Sequence, residues 1–347
     1  MQPETLMQPE THDSDAAANA GNHSIAALEK MGEVWKERAQ VKNEEFEVEM
    51  MYSTEYDDFL DRLIPFNQHP RYGELDDEMR TKILSSGWIA YNEKTIDIES
   101  KIISPICNEI IYGTLPGTQD ETIKWLAAQT LTDEAYHVLM VIQTARMART
   151  QRGLLDLRLP SFDLVNQIEL EAAKYSENWQ KKIVRTVACI CSEVFISDYL
   201  SLLSDADDVQ PINKITTDAH RKDELAHSGI FRHLTKEIVR HLTPRELAFF
   251  AQMLPRPMRW FASQELNVWE TILQQLDYEH TKEVIGDTRA EAEVALFRVD
   301  FSELIELAEE TGLLDTPEGR ESFEAEGLLG NATMTERERP SVAVNMK

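Results

Sequence analysis

Two glutamate–histidine pairs are the residues of this sequence whose types and spacing best suit a chemical role. Glu134 and His137 lie three residues apart in the run LTDEAYH, and Glu224 and His227 repeat that spacing in HRKDELAH. Side chains three residues apart project from the same face of an α-helix. A carboxylate and an imidazole on one helix face are ligands that suit iron and other transition metals.

A lone glutamate on an apolar helix face precedes each pair. Glu99 has isoleucines three residues before it and three, four and seven residues after it, and Glu193 has cysteine, isoleucine and leucine at similar spacings. An ionised carboxylate on such a face destabilises the fold unless it is paired or binds a cation. A four-helix bundle with one Glu on each of two helices and one Glu-x-x-His on each of the others holds a dinuclear iron or manganese centre.

A third histidine adds to the second pair. His220 lies four residues before Glu224, so His220, Glu224 and His227 fall within roughly 60° of one another around a helix. The predicted metal ligands are therefore seven: Glu99, Glu134, His137, Glu193, His220, Glu224 and His227. Four carboxylates neutralise two divalent ions, and the oxygen and nitrogen donors favour two iron ions, with manganese as a substitute.

The composition limits the other classes of function. The formal net charge of −27 argues against binding nucleic acid or an anionic membrane through a basic face. Cys107, Cys189 and Cys191 lie in apolar runs without metal-type spacing, which is typical of free thiols in a reducing compartment. No signal peptide is visible, so a cytoplasmic location is expected. The most apolar run, 187–203, contains Glu193 and an aspartate and indicates a core helix instead of a membrane span.

Helical periodicity dominates between two polar ends. Residues 1–23 and 331–347 are predicted to be disordered tails, and residues 24–330 a single helical domain. Apolar spacing and proline positions predict helices near 26–50, 76–112, 120–151, 164–204 (with a break near 176–179), 208–241, 244–281 and 302–312. The expected fold class is all-α, a ferritin-like four-helix bundle with additional helices and a di-iron centre in its core.

Several runs carry a resemblance to a known family. They are WIAYNEKTIDIE (88–99), DEAYH (133–137), SEVFISDYLSLL (192–203), ITTDAHRKDELAHSGI (215–230), EVIGDTRAE (283–291) and VDFS (299–302). From about Pro65 to about Glu309 the chain resembles the di-iron arylamine N-oxygenases, and the third histidine is the most specific shared feature. The resemblance implies that one iron is bound by Glu99, Glu134 and His137, and the second by Glu193, His220, Glu224 and His227.

The resemblance also implies an activity and partners. The family oxidises an aromatic amine with O₂, through hydroxylamine and nitroso stages to a nitro group, in secondary-metabolite and antibiotic biosynthesis. A hydroxylamine and a nitroso product could couple to an azoxy compound. The family suggests a homodimer, and the sequence has no evident nucleotide loop or flavin motif, so an external reductase is the expected electron donor.

Three residues are candidates for contacts with the substrate. Tyr91 matches a family position that faces the pocket, and Lys94 stands where a close relative has arginine. Arg298 lies one residue before the position of a second family arginine, which is Val299 here. These differences leave open whether the amine is p-aminobenzoate, a longer aminoaryl acid or an arylamine without a carboxylate.

Other functions remain open at this point. The same bundle could oxidise carbon, as a hydroxylase or desaturase. It could also store iron or generate a radical without being an oxygenase, or it could be a helical scaffold that binds no metal. The length of the chain argues against a short storage subunit, and His220 favours nitrogen oxidation.

Overall fold

The computed structural model describes residues 24–42, 52–204, 206, 208–295 and 301–329. These residues form an all-α fold, as predicted, and the described part contains no β-strand beyond an isolated bridge between Asp57 and Val209. The predicted tails at 1–23 and 331–347 lie outside the described residues, as does Arg298.

The helices follow one another along the chain with short connections. They are α1 (24–33), α2 (Trp35–Arg38), α3 (Pro70–Gly73), α4 (Asp77–Asp97), α5 (Ser104–Ile111), α6 (Glu121–Gln151), α7 (Asp163–Ala173), α8 (Asn178–Ser204), α9 (Pro211–Arg240), α10 (Pro244–Met253), α11 (Arg256–Phe261), α12 (Leu266–Gln275), α13 (Thr281–Ala295), α14 (Ser302–Glu310) and α15 (Pro317–Ala325). A π-helical turn, Ile98–Ile103, joins α4 to α5. Short 3₁₀ turns lie at Gln40–Lys42, Asp61–Leu63 and Leu313–Asp315.

Four long helices form the bundle that holds the predicted ligands. α4 packs against α6, α6 against α9, and α8 against α9. Local sequence fixes where these helices begin. The side chain of Asp76 accepts a hydrogen bond from the Met79 amide at the start of α4, and Asp120 accepts one from Thr122 at the start of α6. Such caps satisfy backbone donors that have no partner within the helix, so both ligand helices begin at defined residues.

The lone glutamate of the first half lies in the π-helical turn. The Ser104 amide donates a hydrogen bond to the Glu99 carbonyl, five residues earlier instead of four. The next residue is Pro105, which has no amide proton to donate to the Lys101 carbonyl four residues earlier. In a regular α-helix its ring would also collide with that carbonyl. The wider turn accommodates this proline. Turns of this kind inside α-helices are frequent at functional sites.

Helix α8 carries the lone glutamate of the second half and is the most apolar of the long helices. Among the described residues it is the one helix long and apolar enough to cross a membrane, and 76% of its most apolar window is buried inside the structure. Burial of that extent, together with the packing of α8 on α9, is also typical of the core helix of a bundle.

The helix prediction differs from the structure in the last third of the chain. The single helix expected at 244–281 is three helices, α10, α11 and α12. Pro255 and Pro257 lack amide donors and cannot continue α10, while Glu265 and Asp277 adopt positive φ angles of 52° and 56° that interrupt helical geometry. Helix α13 beyond its first residue and helix α15 lie outside the predicted ranges, as does the short helix α3 near the start of the bundle.

Candidate metal centre

The fold brings all seven predicted ligands together in two groups. One ligand atom from each of Glu99, Glu134, His137, His220 and Glu224 lies within 4.8 Å of the others, and Glu134, Glu193 and His227 form a second such group. We name the first the five-residue group and the second the three-residue group. All seven side chains are buried, with at most 2% of each residue exposed. The arrangement is a closed polar cluster inside an apolar core.

Two carboxylates face both groups. Glu134 Oε2 lies 3.0 Å from His137 Nδ1, and its Oε1 lies 2.9 Å from His227 Nδ1. Glu224 Oε1 lies 3.0 Å from His220 Nε2 and 3.3 Å from His137 Nδ1, while its Oε2 lies 3.6 Å from His227 Nδ1. Each of these carboxylates could therefore bridge two ions.

The position of His220 differs from the grouping that the family resemblance implied. His220 was assigned to the metal of Glu193 and His227, but its Nε2 lies 3.3 Å from Glu99 Oε1 and it belongs to the five-residue group. The reason is helix geometry. His220 and His227 are seven residues apart on α9, which separates them by about 10 Å along the axis. Glu224 lies between them, so the two histidines face different groups.

Unpaired buried atoms test whether the site fits metal ions. Both carboxylate oxygens of Glu193 are buried without a hydrogen-bond partner in the described structure, the nearest ion-pair contact being His227 Nδ1 at 3.7 Å. Oε1 of Glu134 and Nδ1 of His227 face each other at 2.9 Å. A buried polar atom that lacks a partner destabilises a fold, and a charged one does so strongly. These four atoms belong to the three-residue group and face one another. A cation among them would satisfy all of them, so the residues fit a metal ion.

Burial changes the proton affinity of the ligands in the metal-free protein. Burial, and then the charges of neighbouring glutamates, raise the pKa of Glu99 and of Glu193 well above the usual range. Burial and His220 lower the pKa of His137, but ion pairing with Glu134 and hydrogen bonds to Asp223 and Glu134 outweigh them and raise this pKa to about 9. At neutral pH His137 therefore holds a proton that a metal ion must displace, and the raised pKa of Glu99 and of Glu193 makes these carboxyls hold their protons more strongly as well.

Metal binding is accordingly expected to release protons and to strengthen as the pH rises. The part of the increase that depends on His137 should continue up to about pH 9, where His137 loses its proton. Affinity should rise about tenfold per pH unit for each proton displaced. Calorimetric titration with Mn²⁺ in two buffers of different protonation enthalpy would measure the release. Equal heats in both buffers would contradict the expectation.

Two aspartates that the sequence analysis missed support the histidines. Asp133 Oδ2 lies 3.2 Å from His227 Nε2, and Asp223 Oδ2 lies 3.2 Å from His137 Nε2. Each aspartate directly precedes the glutamate of one Glu-x-x-His pair and contacts the histidine of the other pair. A carboxylate on the second ring nitrogen fixes the tautomer and orientation of a metal-binding histidine. The string Asp-Glu-x-x-His occurs twice in the sequence, and this repetition is the pattern from which the two aspartates could have been predicted.

Tyr91 lies on α4, about two turns before Glu99, within a cluster of aromatic rings. Its ring stacks on Trp88 and Tyr199, with centroid distances of 5.7 and 5.3 Å. Its buried hydroxyl has no hydrogen-bond partner among the described residues. Burial raises its pKa, and so do the charges of nearby groups, Glu224 among them. Tyr91 thus places a neutral, unpaired hydroxyl close to the ligand cluster.

Lys94 is already paired within the fold. Its Nζ lies 2.9 Å from Glu265 Oε1 and 5.8 Å from the centre of the Phe261 ring. Glu265 also accepts hydrogen bonds from the backbone amides of Asp163 and Leu164 at the start of α7. A substrate carboxylate would have to compete with Glu265 for the charge of Lys94. Contact between Lys94 and a substrate stays a prediction.

Comparison with known proteins agrees with this arrangement. The family model of the p-aminobenzoate N-oxygenase AurF matches residues 23–312, which include all seven ligand candidates. A curated relative, the 4-aminobenzoate N-oxygenase of Streptomyces thioluteus, is 28% identical over 294 residues, spanning 84% of this chain and 87% of the relative. The chain therefore belongs to the p-aminobenzoate N-oxygenase family and is an N-oxygenase.

Proposed function

We propose that this N-oxygenase is a non-haem di-iron enzyme that uses O₂ to oxidise the nitrogen of an aromatic amine. The observation that carries the proposal is the buried carboxylate–imidazole cluster in which His220 lies against Glu99 and Glu224. The family description and the name of the relative both specify an aminobenzoate, which supports an arylamine substrate for this chain.

The ligand set suits two ferrous ions. Glu99, Glu134, Glu193 and Glu224 carry four negative charges when ionised, which balance two divalent cations, and the histidines add neutral nitrogen donors. Bound iron would supply the activation of O₂ and the transfer of electrons to it. The protein holds the ligand atoms in place and keeps bulk water out, since every ligand side chain is buried. Manganese could occupy the same donors.

The first oxidation requires external electrons. An arylamine, O₂, two electrons and two protons give an arylhydroxylamine and water, with one new N–O bond. Further oxidation would give nitroso and then nitro products, and a hydroxylamine with a nitroso product would condense to an azoxy compound. We propose a separate reductase as the electron donor, with the enzyme acting in the cytoplasm in secondary-metabolite biosynthesis. We also propose a homodimer, which analytical ultracentrifugation would test.

Metal analysis combined with a product assay tests the function directly. The purified protein would be reconstituted with Fe²⁺, its iron counted, and then supplied with reductant, O₂ and either 4-aminobenzoate or 4-aminocinnamate. Two irons per chain and products heavier by oxygen at nitrogen are expected. Oxygen added only at carbon would replace the proposal with a hydroxylase, and absence of iron after reconstitution would overturn it.

The same assay with His220→Ala tests the ligand that most favours nitrogen oxidation. The variant should fold and retain the ion of the three-residue group, but lose N-oxygenation by about 100-fold or more, because the five-residue group loses a nitrogen donor. The exposed His241, just after α9, provides a matched control in His241→Ala. Full activity of His220→Ala would remove His220 from the ligand set.

A further inference from the structure

Residues 24–42, which we name the N-terminal segment, are fixed against the bundle. Leu28 and Ala39 are fully buried. The side chain of Gln129 on α6 donates a hydrogen bond to the Gly32 carbonyl at 3.2 Å. A Cβ atom on Gly32 would come within 2.5 Å of the Trp125 ring, so glycine permits the close approach to α6. The segment is therefore part of the packed core around the metal centre.

This segment contacts both of the aspartates that support the histidines. Trp35 Nε1 donates to Asp133 at 3.0 Å from Oδ1 and 2.9 Å from Oδ2, and Asp133 in turn faces His227. The Gln40 backbone amide donates to Asp223 at 3.3 and 3.2 Å. The two halves of the centre thus differ: an indole holds one aspartate, and a backbone amide holds the other.

Arg38 lies between the two aspartates. Its Nη1 atom is 3.8 Å from Asp133 Oδ2 and 3.7 Å from Asp223 Oδ1. Both terminal nitrogens of Arg38 are buried, without a closer hydrogen-bond partner in the described structure. Asp133 and Asp223 are both completely buried. One guanidinium therefore places a positive charge near two buried carboxylates that lie outside the ligand set.

We propose that Trp35 and Arg38 are positioning residues that hold these aspartates and so set the orientation of the metal-binding histidines. A histidine binds a metal ion well only if its free ring nitrogen points at the ion, and a carboxylate on its other nitrogen fixes that orientation. Trp35 acts through Asp133 on His227, hence on the three-residue group. Arg38 acts on both groups. The inference rests on the proposed metal centre.

Selective loss of metal affinity is the expected signature. Trp35→Phe keeps an aromatic ring but removes the indole donor, so it should weaken binding of one ion about 10- to 100-fold and leave the other within about twofold. Arg38→Met should weaken both ions. Lys36→Met, an exposed neighbour on α2, is the matched control and should weaken neither. Titration with Co²⁺, followed by its visible absorption and by calorimetry, measures the two affinities.

Further outcomes separate positioning from general destabilisation. Arg38→Lys restores a positive charge and should recover part of the affinity at both groups, while the melting temperature of each metal-free variant reports on folding. Unchanged affinities, or an equal loss at both ions in Trp35→Phe, would overturn the inference. If Arg38→Met does not fold, the inference is still tested by whether Trp35→Phe weakens the binding of one ion and not the other. Failure of the wild-type protein to bind two ions would instead overturn the proposed function.

Discussion

Replacing Glu134 with glutamine is expected to remove both metal ions from the protein. Glu134 is the one residue shared by the two ligand groups in the described part of the chain, and its two oxygens face different histidines. Glutamine has nearly the same size but no charge and a single weak oxygen donor. We expect iron to fall from about two ions per chain to under about half an ion, and N-oxygenation to fall about 1,000-fold. Metal analysis after reconstitution measures the first effect.

A buried glutamate outside the cluster provides the control. Glu237 lies on α9, is 6% exposed and pairs with Arg240 at 2.5 Å. Glu237→Gln should retain two ions and normal activity, because neither oxygen belongs to a ligand group. Retention of both ions in Glu134→Gln would mean that the shared carboxylate does not bridge the groups and that the centre is not dinuclear in the way proposed.

Glu193→Gln is expected to have opposite effects on metal binding and on metal-free stability. The three-residue group loses a ligand, so one ion per chain should remain. In the metal-free protein both oxygens of Glu193 are buried without a hydrogen-bond partner in the described structure, and an ionised carboxylate there opposes folding. Neutral glutamine should therefore raise the free energy of unfolding of the metal-free protein by about 1–3 kcal/mol at neutral pH. Urea denaturation of metal-free samples measures the change.

The pH dependence of that gain gives an independent check. Burial raises the pKa of Glu193 well above its usual range. A raised pKa means that the folded state keeps a proton that the unfolded state releases, so the wild-type protein loses stability as the pH rises above about 4.3. The advantage of Glu193→Gln should accordingly be absent near pH 4 and grow with pH. Glu237→Gln should show no such gain, since Glu237 is paired. A uniform loss of stability in Glu193→Gln would contradict the argument.

The sequence predicted the fold class and the residues of the cluster because both depend on local spacing. The all-α fold is confirmed, and the seven candidates lie together. Spacing on one helix restricts side chains to one face, and buried carboxylates on separate helices need a common counter-charge. That these residues bind iron stays a prediction.

The features that the sequence did not reveal depend on contacts between distant segments. Which group His220 joins depends on how α9 lies against Glu99. Trp35 contacts Asp133 across 98 residues of sequence, and spacing along one helix says nothing about such a contact. The pairing of Lys94 with Glu265 depends on a backbone turn with positive φ. By contrast, the end of α10 could have been predicted from Pro255 and Pro257.

In each Asp-Glu-x-x-His string the aspartate contacts the histidine of the other string. This arrangement restricts when the metal centre can form during synthesis of the chain. His137 depends on Asp223, and His227 depends on Asp133, so neither string holds its own histidine in place. Both ligand groups also contain a residue of α9. Residues 24–204 alone, although they carry Trp35, Arg38 and four of the ligands, cannot complete either group. A growing chain would therefore acquire its metals only after α9 has been made and has packed between α6 and α8.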